Sequence, residues 1–214
     1  MEESSRRTIV AMAQAAYLAG PEAQIAPRHS ALVRVTHWIN SASFLALVVS
    51  GIAILIAHPR LYWGETGAFG APSLIDLPLP FKLGESGWGR YLHFLAAWIC
   101  VLNGAVYVAS SWLRQHFRKG NNEYNSLQRI AYLAVVFLLF PLMIATGLAM
   151  SPAVTSVIPV LVNTFGGQQS ARTVHFFAAS AVVLFFFGHV VMVSIAGFAS
   201  SVGAMITGRA RESS

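Results

Sequence analysis

The chain has 214 residues, of which 56% are hydrophobic and only 10% charged, with a mean hydropathy of +0.61. Soluble domains carry about 25% charged residues, so this balance excludes an ordinary soluble module and calls for lipid. The formal net charge is +6, but the basic residues sit at the edges of apolar runs and not on one patch, which argues against nucleic acid as a partner.

Residues 1–27 read as a separate cytoplasmic arm. A short surface helix is conceivable over 6–18, but Gly20-Pro21 and Pro27 interrupt the chain, and the stretch lacks the apolar run of a secretory signal. A membrane helix needs roughly 20 apolar residues. Four runs meet that length, at about 36–57, 91–113, 127–150 and 173–198, and residues 209–214 follow as a cytoplasmic tail.

The first connection, about 58–90, is long and carries Tyr62, Trp63, Phe69, Phe81 and Trp88, side chains suited to headgroup depth. It is expected to fold back over the end of the bundle. The third connection contains Gly166-Gly167-Gln168-Gln169, a turn and not a phosphate loop, and neither a nucleotide motif nor an internal repeat is evident. Pro141 lies inside the third run and predicts a kink, because proline removes a backbone donor.

Orientation follows from the basic residues. Arg6, Arg7, Arg28 and Arg34 precede the first run; Arg114, Arg118, Lys119 and Arg129 fill the second connection; Arg209 and Arg211 follow the fourth run. Only Arg60, Lys82, Arg90 and Arg172 lie in the other two connections. Ten against four is the positive-inside asymmetry, so both termini and the second connection are expected on the cytoplasmic side.

Four histidines lie within or at the ends of these apolar helices: His37, His93, His175 and His189. An ionisable group at membrane depth is costly and marks function. His175 and His189 are fourteen residues apart on one helix, close to four turns, which places them on similar faces about 21 Å apart. With the helices alternating in direction, depth pairs His93 with His175 near the outer side and His37 with His189 near the inner side. Two such pairs fit two stacked haems. Four histidines split between two depths do not make one tetrahedral zinc site. Cys100 is alone and no C-x-x-C-H motif occurs, so the haems would be of type b.

Arg34, Arg90 and Arg172 each stand three residues before a ligand candidate, on the same helix face. They are candidate partners of haem propionates, with ordinary anchoring at a helix end as the alternative. His29, His58 and His116 read as surface histidines. Asn103 and Gln128 are polar groups near membrane depth, placed either between helices or at a quinone.

Arg34-Val-Thr-His37-Trp38, Gly87-Trp-Gly-Arg-Tyr-Leu-His93 and Arg172-Thr-Val-His175 with His189 resemble the bacterial cytochrome b561 family, which includes the cytochrome b subunits of nickel-iron hydrogenases. The likeness spans about 28–208. It implies an all-α integral membrane four-helix bundle with two b haems, bis-histidine ligation and electron exchange with quinone. The stretches Tyr124-Asn-Ser-Leu-Gln-Arg and Gly147-Leu-Ala-Met-Ser-Pro152 look most like members that accompany periplasmic molybdopterin oxidoreductases. Hydrogenase cytochromes differ in having a fifth helix.

The expected function is therefore electron transfer between the quinone pool and a periplasmic redox partner. Two alternatives stay open: a self-sufficient superoxide:quinone oxidoreductase, for which the outer arginines would attract the anion, and a haemless membrane anchor.

Overall fold

A computed structural model describes residues 30–67, 72–78, 87–113 and 126–208, with the side chains of 111–113 and 126–129 left aside. The arm 1–27, the tail 209–214, His29, His116, Lys82, Phe69, Phe81, Gln128 and the basic side chains of the second connection lie outside what is described. Four helical segments are long and apolar enough to cross a membrane, and the chain is an all-α membrane four-helix bundle.

Helix α1 covers Ala31–Ala57 and starts on Ser30, whose hydroxyl accepts from the Val33 N–H. A two-residue hairpin follows, with β1 (Arg60–Leu61) antiparallel to β2 (Ile75–Asp76). Helix α2 is Gly87–Leu113. The third span consists of α3 (Ser126–Ala134), a π turn at Val135–Leu139 and α4 (Phe140–Ala149). Two short helices, α5 (Pro152–Thr155) and α6 (Val160–Thr164), lead into α7, Gln168–Ile195. A final helix, α8, is Phe198–Thr207.

The kink predicted from Pro141 takes the form of the π turn. Pro141 has no N–H to give back along the helix. The preceding turn widens, and the Phe140 N–H donates to Val135 O, five residues back. Helix α8 was not expected: the apolar run continues past 195, but Gly197 at φ +99° breaks it and starts a separate helix.

Packing is strongest within two hairpins, α1 with α2 and the third span with α7. The buried positions of the spans are small: Thr36, Ser43, Ser50, Ala96, Thr146, Ala149, Ala171, Thr173 and Ala178, with valine the largest. Small residues let helix backbones approach closely in lipid. Only 6–11% of the apolar stretch of each span is buried inside the protein, so most of its surface is left for lipid.

Each hairpin is also tied by polar rungs. Asn103 Nδ2 donates to both Thr36 O and Asn40 Oδ1 at 2.8 Å, so Asn103 packs between helices. Interhelical bonds of this kind are worth about 0.6 kcal/mol on average and about 1.7 at most. Asn103→Leu should therefore lower unfolding stability in detergent by about 1 kcal/mol; a loss several times larger would mean that Asn103 does more than tie α1 to α2.

The first connection closes over the start of α7, as expected. Helix N-termini leave backbone donors without partners. Here Gly64 O accepts from the N–H groups of Gln169 (3.0 Å) and Ser170 (3.3 Å), and Ser170 Oγ accepts from Gly64 N at 2.7 Å. Thr173 Oγ1 donates to Tyr62 O at 2.7 Å, and Arg172 donates to the His58 carbonyl. Leu61 is buried beneath this latch.

Candidate histidine sites in the bundle

His93 and His175 face each other across the seam between the hairpins, with ring centroids 6.2 Å apart and planes at 61°. The pairing expected from depth is thus present as a direct contact. Each ring is held from the neighbouring helix of its own hairpin. Ser50 Oγ on α1 lies 3.0 Å from His93 Nδ1, and Thr146 Oγ1 on α4 lies 2.8 Å from His175 Nδ1.

The direction of these bonds follows from the hydroxyl protons. Ser50 Oγ donates to Ala46 O at 2.6 Å, and Thr146 Oγ1 donates to Leu142 O at 2.7 Å. With its one proton committed, each hydroxyl accepts from an imidazole Nδ1–H. Both rings then carry a proton on Nδ1, and Nε2 is the nitrogen left to meet a metal.

The two hairpins repeat one device. Ser50 is followed by Gly51, and Thr146 by Gly147. A Cβ on Gly51 would lie 3.6 Å from His93 Cε1, and one on Gly147 would lie 3.7 Å from His175 Cε1. Both positions thus lie against the flank of a ring, at ordinary contact distance. Ser-Gly in α1 and Thr-Gly in α4 are visible as short dipeptides, and that echo was the available signal. The third span holds no histidine of its own, yet it supplies the partner of both α7 histidines.

At the other end, Tyr132 OH lies 3.2 Å from His189 Nδ1, and Phe185 stacks on the same ring at 20°. Tyr132 and Thr146 are fourteen residues apart, as are His189 and His175, so the antiparallel pair is in register at both rungs. His37 lies edge-on to Trp38, with centroids 5.4 Å apart. Helix α8 begins three residues after α7 ends and docks on the start of α1. Arg34 donates to Ile206 O at 2.7 Å and Trp38 Nε1 to Met205 O at 3.2 Å, so two of the last carbonyls of α8 are satisfied. His37 and His189 therefore share the end of the bundle at which α1 begins and α8 ends. Phe44 and Phe186 meet between the two histidine levels, with centroids 4.9 Å apart.

The three arginines differ. Arg34 is half-buried, and its Nε is buried without a hydrogen-bond partner one turn from His37. That orphaned donor suits a carboxylate. Arg172 is engaged with the His58 carbonyl in the latch, and Arg90 is exposed beside the start of α2. Arg60 pairs with Asp76 at 3.2 Å on the surface.

The residues present fit haem. Two imidazole nitrogens at about 2 Å from one metal place ring centroids roughly 6 Å apart, and His93 and His175 meet that separation. A Cβ on Gly104, three turns along the same face of α2 from His93, would meet nothing within 4 Å. Among the described residues no three His, Cys, Asp or Glu side chains converge.

Comparison with known proteins adds the following. The family model described as prokaryotic cytochrome b561 matches residues 28–208. The chain is similar to the putative protein-methionine-sulfoxide reductase subunit YedZ1 of Azospira oryzae, at 31% identity over 192 residues, covering 78% of this chain and 90% of the relative. No solved structure matches.

Proposed function

As a member of the prokaryotic cytochrome b561 family the chain is a multi-pass, haem b-binding membrane protein of electron transfer, and we propose that it carries two b haems and moves electrons between quinone and a periplasmic redox partner. The observation that carries this reading is the His93–His175 pair, two Nδ1-bonded imidazoles facing one another across the seam. His37 and His189 are the proposed second pair, and Arg34 a partner of a propionate there.

When bound, haem b supplies reversible one-electron chemistry. The chain's own residues do the rest. Ser50 and Thr146 hold two ligand rings, Tyr132 holds a third, and the small buried residues draw the paired helices together. The latch covers the start of α7, with Thr173 bonded to Tyr62 O two residues before His175. The overall exchange takes two electrons and two protons from each quinol, or returns them to each quinone.

A redox protein or subunit is the proposed partner. The name of the relative, a reductase subunit, favours a partnered chain over one that oxidises superoxide by itself. The distribution of basic residues supports an inner-membrane location with cytoplasmic termini, the arm 1–27 and tail 209–214 flanking a single membrane domain over 28–208.

The deciding experiment is a reduced-minus-oxidised spectrum with pyridine haemochrome quantification on the purified chain. About two b haems per chain are expected, reducible by quinol. A stoichiometry near one would remove the His37–His189 pair from the reading, and a colourless protein would leave a membrane anchor.

A further inference from the structure

We infer that Ser50 and Thr146 are positioning residues that orient the His93 and His175 rings and set the redox potential of the site between them, an assignment that rests on the haem reading above. Serine and threonine within apolar helices usually need no partner beyond their own backbone, and the bonds to Ala46 O and Leu142 O satisfy that need. These two hydroxyls do something more. Each turns its remaining lone pair to a histidine on the neighbouring helix, and each does so at a fully buried position.

The two contacts also correspond in detail. Both hydroxyls stand one residue before a glycine that flanks the same ring. Both accept from Nδ1, one from each of the two facing rings. A single contact of this kind is accommodation; two, built alike on separate hairpins, define one environment for the two facing rings.

The physical effect has a sign. An acceptor on Nδ1–H raises the basicity of the imidazole as a ligand. A more basic ligand favours the oxidised metal and lowers the potential. A hydroxyl whose own proton is tied to a helix carbonyl cannot rotate to become a donor, so the effect is fixed and not switchable. At the other level the acceptor or donor is the Tyr132 phenol, which is 38% exposed, so the two levels are not equivalent.

The test is a redox titration of both haems, with low-temperature EPR to report the angle between ligand planes, on the full chain carrying Ser50→Ala, Thr146→Val or Thr146→Ser. Removing either hydroxyl should weaken the preference for the ferric state about tenfold, an upward shift of about 59 mV for a one-electron couple. The second haem should keep its potential, and Thr146→Ser, which retains the hydroxyl, should titrate as the unmodified chain does. Unmoved potentials and EPR signals in both Ser50→Ala and Thr146→Val would overturn the assignment, as would a shift in Thr146→Ser equal to that in Thr146→Val. An unmodified chain that binds no haem overturns the underlying reading instead, and that failure appears before any substitution is made.

Discussion

Replacing His175 by alanine is expected to leave about half of the haem bound, with the loss confined to the site shared with His93. His175 supplies one of the two rings that stand 6.2 Å apart. Thr146 keeps its bond to Leu142 O when the ring is gone, so the bundle should not pay for an unsatisfied buried hydroxyl. The variant should therefore reach the membrane in normal amount yet show one set of haem potentials. His189→Ala should show the complementary set. Pyridine haemochrome analysis with redox titration checks both variants; full occupancy in either one would break the assignment of that histidine.

Gly167→Ala is expected to have the largest effect on stability. Gly167 adopts φ +118° and precedes α7. A Cβ there would stand 2.5 Å from both C and O of Gly64 and 2.6 Å from the Glu65 N. These are backbone atoms, which cannot swing aside as a side chain does. The substitution adds backbone strain of about 1–3 kcal/mol, and it pushes away the carbonyl that accepts from Gln169 and Ser170, each bond worth about 1 kcal/mol. A loss of about 3–5 kcal/mol follows from these terms together. Thermal unfolding in detergent should register it, and limited proteolysis should cut the first connection sooner. An unfolding temperature like that of the unmodified chain would mean that the latch at Gly64 yields easily.

The four spans were legible in the sequence because lipid imposes a length and an apolar composition that chance runs rarely meet. Their ends moved by up to five residues, mainly outward at the N-terminal ends, where α1, α2 and α7 gain a turn or more. Depth along antiparallel helices was enough to bring His93 to His175. It did not reveal Ser50, Thr146 or Tyr132, because depth says nothing of azimuth, and a hydroxyl in an apolar helix can always be read as bonded to its own backbone. The arginine spacing was also ambiguous by nature: three residues fix a helix face and not a partner. Arg34 retains an open Nε, whereas Arg172 is bonded to the end of α1. Asn103 resolved to the first of its two alternatives once Asn40 and Thr36 were seen beside it.

The self-bonded hydroxyls also bear on how such a chain is made. A helix leaving a translocation channel meets hydrocarbon before it meets its neighbours, and a bare hydroxyl or imidazole is a hindrance at that moment. Ser50 and Thr146 carry their own proton acceptor within the same helix, so α1 and α4 can partition into lipid alone. Their lone pairs then receive His93 and His175 as each hairpin closes, one after the other in order of synthesis. Every histidine so received is already in the tautomer a metal requires. On the proposed haem reading, biogenesis would end in two finished half-sockets, with the macrocycle left to be clasped between them.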